Sequence, residues 1–594
     1  MALVSDGQRS ELSPRDAGWF ELSPSPLRPG SDYALSVDGG APIPDPRSGY
    51  QPDGVHGPSR HVGETPFEWT DQSFRAAPLA SAIFYELHVG TFSEDGSFDG
   101  VIARLPHLKA LGVTHVELMP VAQFPGKHGW GYDGVHPYAP HSGYGGPEAL
   151  KRLVDACHAE GLAVVLDVVY NHLGPDGNHL PAFGPYLTDT YHTPWGQAVN
   201  LDGPHSAFVR RYFLDNALYW LEEFHFDGLR LDAVHALYDH SARHFLRQLA
   251  DEAAELSRHL AKPLVLIAES DLNDPQLIRA RDAGGFGLDA QWSDDLHHAL
   301  HVVLTGERSG IHGDFSGLAD LAKALERGFV YDGRHSPFRK RPHGAALDPR
   351  HVERLVVCLQ NHDQVGNRAR GERIGHLVSP ARAKLGAAVV LLGPSIPLLF
   401  QGEEWDASTP FQYFTDHTDE ALGQAVRDGR RREFAEFGWD ESSIPDPQAH
   451  DTFNASRLRF EELTLPRHAS MFEHYRTLIR LRRSVPELAS PLTAVRFDER
   501  TGVLVMEREA SQVAINFSRE QQISRIFGSE PAELLHATEG AHLARAPHSQ
   551  FVLPPESVAV ALMRRPIASP PRSAGSPRDG SDREEGSQDP YLSE

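Results

Sequence analysis

The chain has 594 residues, 40% of them hydrophobic and 23% charged, with a formal net charge of -25. That length exceeds one compact core, so a large domain with smaller satellites is expected. The negative charge excludes nucleic acid as the natural partner, because a phosphate backbone attracts basic surfaces; a neutral, soluble substrate fits better.

In chain order, residues 1–75 are rich in Pro, Gly, Ser and Asp and hold short strand-like pieces, GWFELS and DYALSV. They are predicted to form a partial N-terminal β-sandwich module. From Ser81 onward apolar strands alternate with amphipathic helices, the pattern of a parallel sheet with crossover helices. The prediction is an α/β fold, a (β/α)8 TIM barrel over residues 76–490. Its eight strands begin near Ile83, Val113, Ala163, Gly228, Leu264, Phe286, Arg354 and Ile396. Helices are predicted over 100–110, over 147–160 and from Phe208, where apolar residues recur every three or four positions. Long insertions follow strands two, three and six, and in a barrel such loops wall the active site. Residues 491–565 are strand-rich again and predict a C-terminal antiparallel β domain. The tail 566–594 is Pro, Ser, Gly and charge without periodicity, and disorder is expected there.

Other features bound the compartment. Cys157 and Cys358 fall in a predicted helix and a predicted strand, so they read as buried free thiols rather than a disulfide or a metal pair. The first residues, MALVSDGQRSELSPRD, have neither a basic start nor an apolar run, and no stretch of about 18 apolar residues occurs. A cytoplasmic protein with no membrane partner is expected.

Three carboxylates stand after buried-strand runs: Asp232 after GLRL, Glu269 after LVLIA, and Asp363 in RLVVCLQNHD. A charged residue following such a run is aimed out at the carboxyl edge of the sheet, where barrels carry their chemistry. A single one of these could be a helix cap or a strand-end ion pair. Three, with Arg230, His172 and His362 at comparable strand ends, point to glycoside chemistry.

These strand ends also carry a resemblance. DVVYNH at 167–172, GLRLDAVH at 228–235, the Glu269 strand and QNHDQVGN at 360–367 resemble the four sequence regions of the α-amylase superfamily, in order. HGWGYDGVHPYAP from His128, IAESDLNDP from Ile267, DAQWSDDLHHALHVVLTGE from Asp289 and WDASTPFQYFTDH from Trp405 are similar to the malto-oligosyltrehalose trehalohydrolases within it. The similarity runs from about Phe20 to Met563. It departs at the start, where that family carries a fuller starch-binding-type β domain, which implies an early strand or two missing. The resemblance implies hydrolysis of the α-1,4 bond beside a terminal α,α-trehalose unit of a malto-oligosyltrehalose, in functional pairing with a malto-oligosyltrehalose synthase. Branching or debranching of α-glucan is the alternative enzyme reading. A noncatalytic glucan-binding subunit is the other, although such a chain would be expected to lose one of the three carboxylates.

Retaining chemistry needs a carboxylate nucleophile and a protonated carboxyl about 5 to 5.5 Å apart. Asp232 is the expected nucleophile, because Arg230, two residues earlier on the same strand face, would keep it ionised. Glu269 is the expected acid/base, since apolar surroundings and a neighbouring anion raise a carboxyl. For Asp363 the resemblance implies hydrogen bonds to sugar hydroxyls, and for Tyr132 an aromatic platform, with Asp133 a supporting carboxylate. His172 and His362 suit donation to a neutral polyol. Trp195, Phe338 and Arg339, in long loops, are candidates for a trehalose pocket, and Arg230, His235 and Asp295 complete the expected substrate contacts. His297, His298 and His301 follow Asp294 and Asp295, but helical spacing serves only some pairs, so no metal is expected. Hydrolysis by paired carboxylates needs no cofactor.

Overall fold

The computed structural model describes residues 1–16, 19–63, 66–436, 444–526, 532–544 and 549–563. At its centre eight parallel strands close into a barrel: β1 (Phe84–Leu87), β2 (His115–Leu118), β3 (Ala163–Val168), β4 (Gly228–Leu231), β5 (Val265–Ala268), β6 (Ala290–Trp292), β7 (Leu355–Cys358) and β8 (Ile396–Phe400). They neighbour one another in chain order, and β8 pairs back onto β1. All eight strands expected from the apolar runs are present. Such runs form strands here because both faces are covered: every residue of β3 is buried. Phe84, Val165, Ile267, Val356 and Leu398 form one buried cluster, while their neighbours Leu166, Leu229 and Leu266 join a larger cluster with the surrounding helices.

Gly228 opens β4 for a steric reason. A Cβ there would lie 2.4 Å from the carbonyl oxygen of Val265, so the β4–β5 approach requires glycine. Register then sets the site, because Asp167 on β3 pairs with Arg230 on β4, and Arg230 with Ile267 on β5.

The insertions carry their own structure. After β2, Ala122–Gln123 pairs with His136–Pro140; after β3, Leu187–Thr193 pairs with Gly196–Val199; between β6 and β7, Asp332–Ser336 pairs with Arg341–Gly344. Near the N-terminus, Gln8–Glu11, Ala2–Ser5, Asp32–Ser36 and Ser59–Arg60 make one antiparallel sheet, beside a short ribbon of Ser13–Pro14 and Phe20–Glu21. Beyond the barrel, the strands of a five-stranded antiparallel sheet, from Ala494–Asp498 to Ser557–Met563, alternate in sequence with those of a three-stranded one, and Leu504, Met506, Ile515 and Val560 share the barrel's own core cluster. Cys157 and Cys358 are free and buried, as expected. The tail 566–594 lies outside the described residues. Among the described residues no helix is long and apolar enough to cross a membrane.

Candidate active site

Asp232 and Glu269 follow β4 and β5 directly, and Asp363 sits in the short helix His362–Gly366 after β7. All three line one cleft of about 540 Å³, with Tyr132, Asp133, His172, Trp195, His235 and His362.

Arg230 is fully buried beneath this cleft and organises it. Its Nη1 donates to Asp232 Oδ1 at 2.6 Å and to both Asp167 oxygens at 2.9 and 3.0 Å. Its other terminal nitrogen makes no hydrogen bond among the described residues and lies 3.9 Å from Glu269 Oε2. Because both carboxylates touch one rigid guanidinium fork, their nearest oxygens are under about 9 Å apart. The face of Arg230 rests on Trp292, 4.5 Å from the ring centre. Arg230, expected among the substrate contacts, is at zero exposure and its partners are the carboxylates beneath the cleft.

The same surroundings act on the two carboxyls in opposite directions. Burial works to raise Asp232, yet the Arg230 charge, His172 and the Asn171 amide, 2.7 Å from Oδ2, outweigh it and hold it below the usual carboxylate range. For Glu269 burial is again the largest influence; the negative charges of Asp232, Asp294 and Asp363 reinforce it against Arg230, and the carboxyl is pushed up to about 8. Backbone geometry fixes Glu269 as well. Ala233, immediately after Asp232, adopts a left-handed conformation (φ 39, ψ 52), and its N–H donates to Glu269 Oε2 at 2.5 Å. Left-handed backbone at an alanine is held only where neighbours over-determine it.

The histidines are fixed by partners. His362 Nδ1 meets Glu86 Oε1 at 2.5 Å and its Nε2 meets the Tyr132 hydroxyl at 2.8 Å. Burial lowers His362, but Asp363 and Glu86 outweigh it and push it up to about 9, so the ring is a cation at neutral pH. Tyr132 lies nearly parallel to His362 and donates to Asp167 at 2.7 Å. His172 is held by Asn171 and the Tyr132 carbonyl, and Trp195, half exposed, stacks on it at 4.7 Å between ring centres. His235 Nδ1 accepts from the backbone of Asp271, and Asp133 faces His417 at 3.9 Å.

Three expected contacts fall elsewhere. Asp295 is buried away from the cleft lining, and its Oδ2 accepts from the Asn273 amide and from the backbone N–H groups of Val330 and Tyr331, which anchors a loop. Phe338 and Arg339 do not line the cleft. Arg339 instead grips Asp271, which does, in a bidentate pair. The missed residues are Asp294, pushed up to about 7 chiefly by burial and then by Asp363 and Asp271, and the positioning groups Glu86, Asp167 and Asn171. Asp167 and Asn171 stand in the DVVYNH run, and Glu86 lies within the first apolar strand; a carboxylate inside an otherwise apolar strand was the signal for Glu86 and Asp167.

Residues 70–180 match the family model described as the catalytic domain of alpha-amylase. A malto-oligosyltrehalose trehalohydrolase of Arthrobacter ramosus is 52% identical over 521 residues, covering 87% of this chain and 90% of that protein. One from Rhizobium sp. (strain M-11) is 46% identical, covering 94% of this chain and 95% of that protein. The chain belongs to the malto-oligosyltrehalose trehalohydrolase family. Among solved structures, a putative alpha amylase from Salmonella typhimurium superposes with a TM-score of 0.85 at 36% identity, covering 95% of each chain. Pullulanase from Paenibacillus barengoltzii, at 20% identity and a TM-score of 0.67 over 95% of this chain and 91% of its own, shares the fold. This trehalohydrolase-family chain is therefore a glycoside hydrolase with an α-amylase-type barrel.

Proposed function

We propose that the chain hydrolyses the α-1,4-glucosidic bond next to the terminal α,α-trehalose unit of a malto-oligosyltrehalose, by double displacement on Asp232 and Glu269. The carrying observation is the opposite displacement of these two carboxyls around Arg230, one held ionised and one held protonated at neutral pH. Asp232 attacks the anomeric carbon as Glu269 gives its proton to the departing glycosidic oxygen, and trehalose leaves. Glu269, now an anion, takes a proton from water, whose oxygen displaces Asp232 and frees the malto-oligosaccharide with its configuration retained. Asp363 accepts hydrogen bonds from hydroxyls of the reacting sugar. The His362 cation and the Tyr132 ring bound the same ring's pocket, and Trp195 offers an apolar face to the sugars beyond the cleaved bond.

The family relationship supports trehalose as the leaving group, and the reading includes cytoplasmic action on the product of a malto-oligosyltrehalose synthase, the class of enzyme that forms the α,α-1,1 linkage. The test is a product assay on purified protein. Maltotriosyl-trehalose is expected to yield maltotriose and trehalose at least tenfold faster than maltopentaose is cut. Equal rates on the two, or formation of α-1,6 branches, would replace the trehalose reading with an amylase or branching one.

A further inference from the structure

A second cluster of chemically capable side chains lies on the helix that follows β6, Asp294–Thr305, and on the short turn Gly310–Asp314 packed beside it. His297 and His298 on the helix and His312 on the turn bring three imidazoles together, each offering a ligand atom within 4.8 Å of the other two. The ring centres of His298 and His312 are 5.3 Å apart and those of His297 and His298 5.4 Å. His297 and His298 are buried.

Hydrogen bonding leaves this cluster unfinished. His297 Nδ1 meets the Leu359 carbonyl at 2.8 Å, so that nitrogen carries the proton and Nε2 keeps a lone pair. A carbonyl partner on the far nitrogen is the usual support for a metal-bound imidazole. His298 Nδ1 and His312 Nε2 are buried and have no hydrogen-bond partner among the described residues. An unpartnered buried polar atom is destabilising, and a cation bound by these imidazoles would satisfy both nitrogens.

We propose that His297, His298 and His312 form a binding site for one divalent transition-metal ion, of which zinc is the best fit. The donor set decides the class. Imidazole nitrogens suit zinc, copper, cobalt or nickel, whereas magnesium and calcium take oxygen ligands. Around a tetrahedral zinc with bonds of about 2.0–2.1 Å, neighbouring nitrogens sit roughly 3.4 Å apart, which small side-chain rotations reach from the observed spacing. Glu307 and His301 stand on the other flank of His312, but Glu307 is already paired with Arg368 and His301. That pairing leaves three protein ligands and a water for the ion.

The site is structural in its consequences. It ties the turn Gly310–Asp314 to the helix, and Asp314 accepts hydrogen bonds from the Tyr331 hydroxyl, from Ser336 and from the Phe338 backbone. The metal would therefore brace the insertion that carries Arg339, which in turn holds Asp271 at the cleft.

The experiment uses the full chain stripped with chelator, then titrated with Zn²⁺ by calorimetry and with Co²⁺ by visible absorption. One equivalent of Zn²⁺ is expected to bind at micromolar or tighter affinity and raise Tm by several degrees, and Co²⁺ is expected to show the intense visible bands of a tetrahedral site. His312→Ala and the milder His298→Asn should each weaken binding at least a hundredfold. Absence of one-equivalent uptake and of the Co²⁺ bands by the wild-type chain, which depends on no variant's folding, overturns the site. Undiminished uptake in a folded His312→Ala chain does so as well.

Discussion

A single buried cation makes two adjacent carboxyls unlike. Arg230 bonds Asp232 directly at 2.6 Å but reaches Glu269 only at 3.9 Å, so its field holds the first as an anion and fails to offset burial at the second. Activity requires Asp232 ionised and Glu269 protonated, so kcat/KM should follow a bell whose acid limb falls below the usual carboxylate range and whose alkaline limb falls near 8. Glu269→Gln should abolish that alkaline limb from the residual rate. The same shift has a stability consequence with a definite sign. A carboxyl whose folded value is raised holds its proton more tightly in the native state, so native stability declines as pH climbs from the unfolded value toward about 8. Glu269→Gln is therefore expected to raise Tm at pH near 8 and to leave it unchanged at pH near 4, where both states are protonated. A lower Tm for the variant at the alkaline end, or an unaltered alkaline limb, would contradict the assignment.

The loop elements act on specificity through two different contacts. Trp195 sits at the tip of the hairpin Leu187–Thr193 and Gly196–Val199, and reaches the cleft only by lying flat on His172. Arg339 works from a distance, holding Asp271 in place from the hairpin between β6 and β7. Trp195→Ala should raise KM for maltotriosyl-trehalose about tenfold or more and alter maltopentaose cleavage less, since an exposed aromatic platform contributes roughly 1–2 kcal/mol to a stacked sugar. Arg339→Ala should act the same way but more weakly, through a freed Asp271 side chain. The two KM values, measured on both substrates, check this; equal effects on both would remove the loops from trehalose recognition. At this scale the sequence was informative where a residue's position is set by a strand. β4 and β5 deliver Arg230, Asp232 and Glu269 by counting along apolar runs. Loop residues carry no such register. The sequence places Asp295 at the cleft, yet at the start of its helix this side chain turns to the backbone of residues 330 and 331, which no local pattern announces.

Across the whole molecule, one face of the five-stranded sheet joins the barrel's buried core, and its other face packs with the three-stranded sheet in a second cluster around Phe551 and Leu553. Arg382 shows the join: it donates to the Val303, Leu304 and Phe517 carbonyls and pairs with Glu556 at 3.1 Å. The fold class was legible because alternating strands and helices encode a parallel barrel through local periodicity. Contacts between segments far apart in the chain were not, since no local pattern announces that His312 will meet His297 or that Glu86 will hold His362. The central claim, a nucleophile at Asp232 and retained configuration, is tested most directly by following maltotriosyl-trehalose hydrolysis by proton NMR with wild-type protein and with Asp232→Asn. The new reducing end of maltotriose should appear first as the α-anomer, in chelator as well as without it, and the rate should fall by several orders of magnitude in a folded Asp232→Asn chain. Initial β-anomer, or near wild-type turnover in Asp232→Asn, would contradict the account.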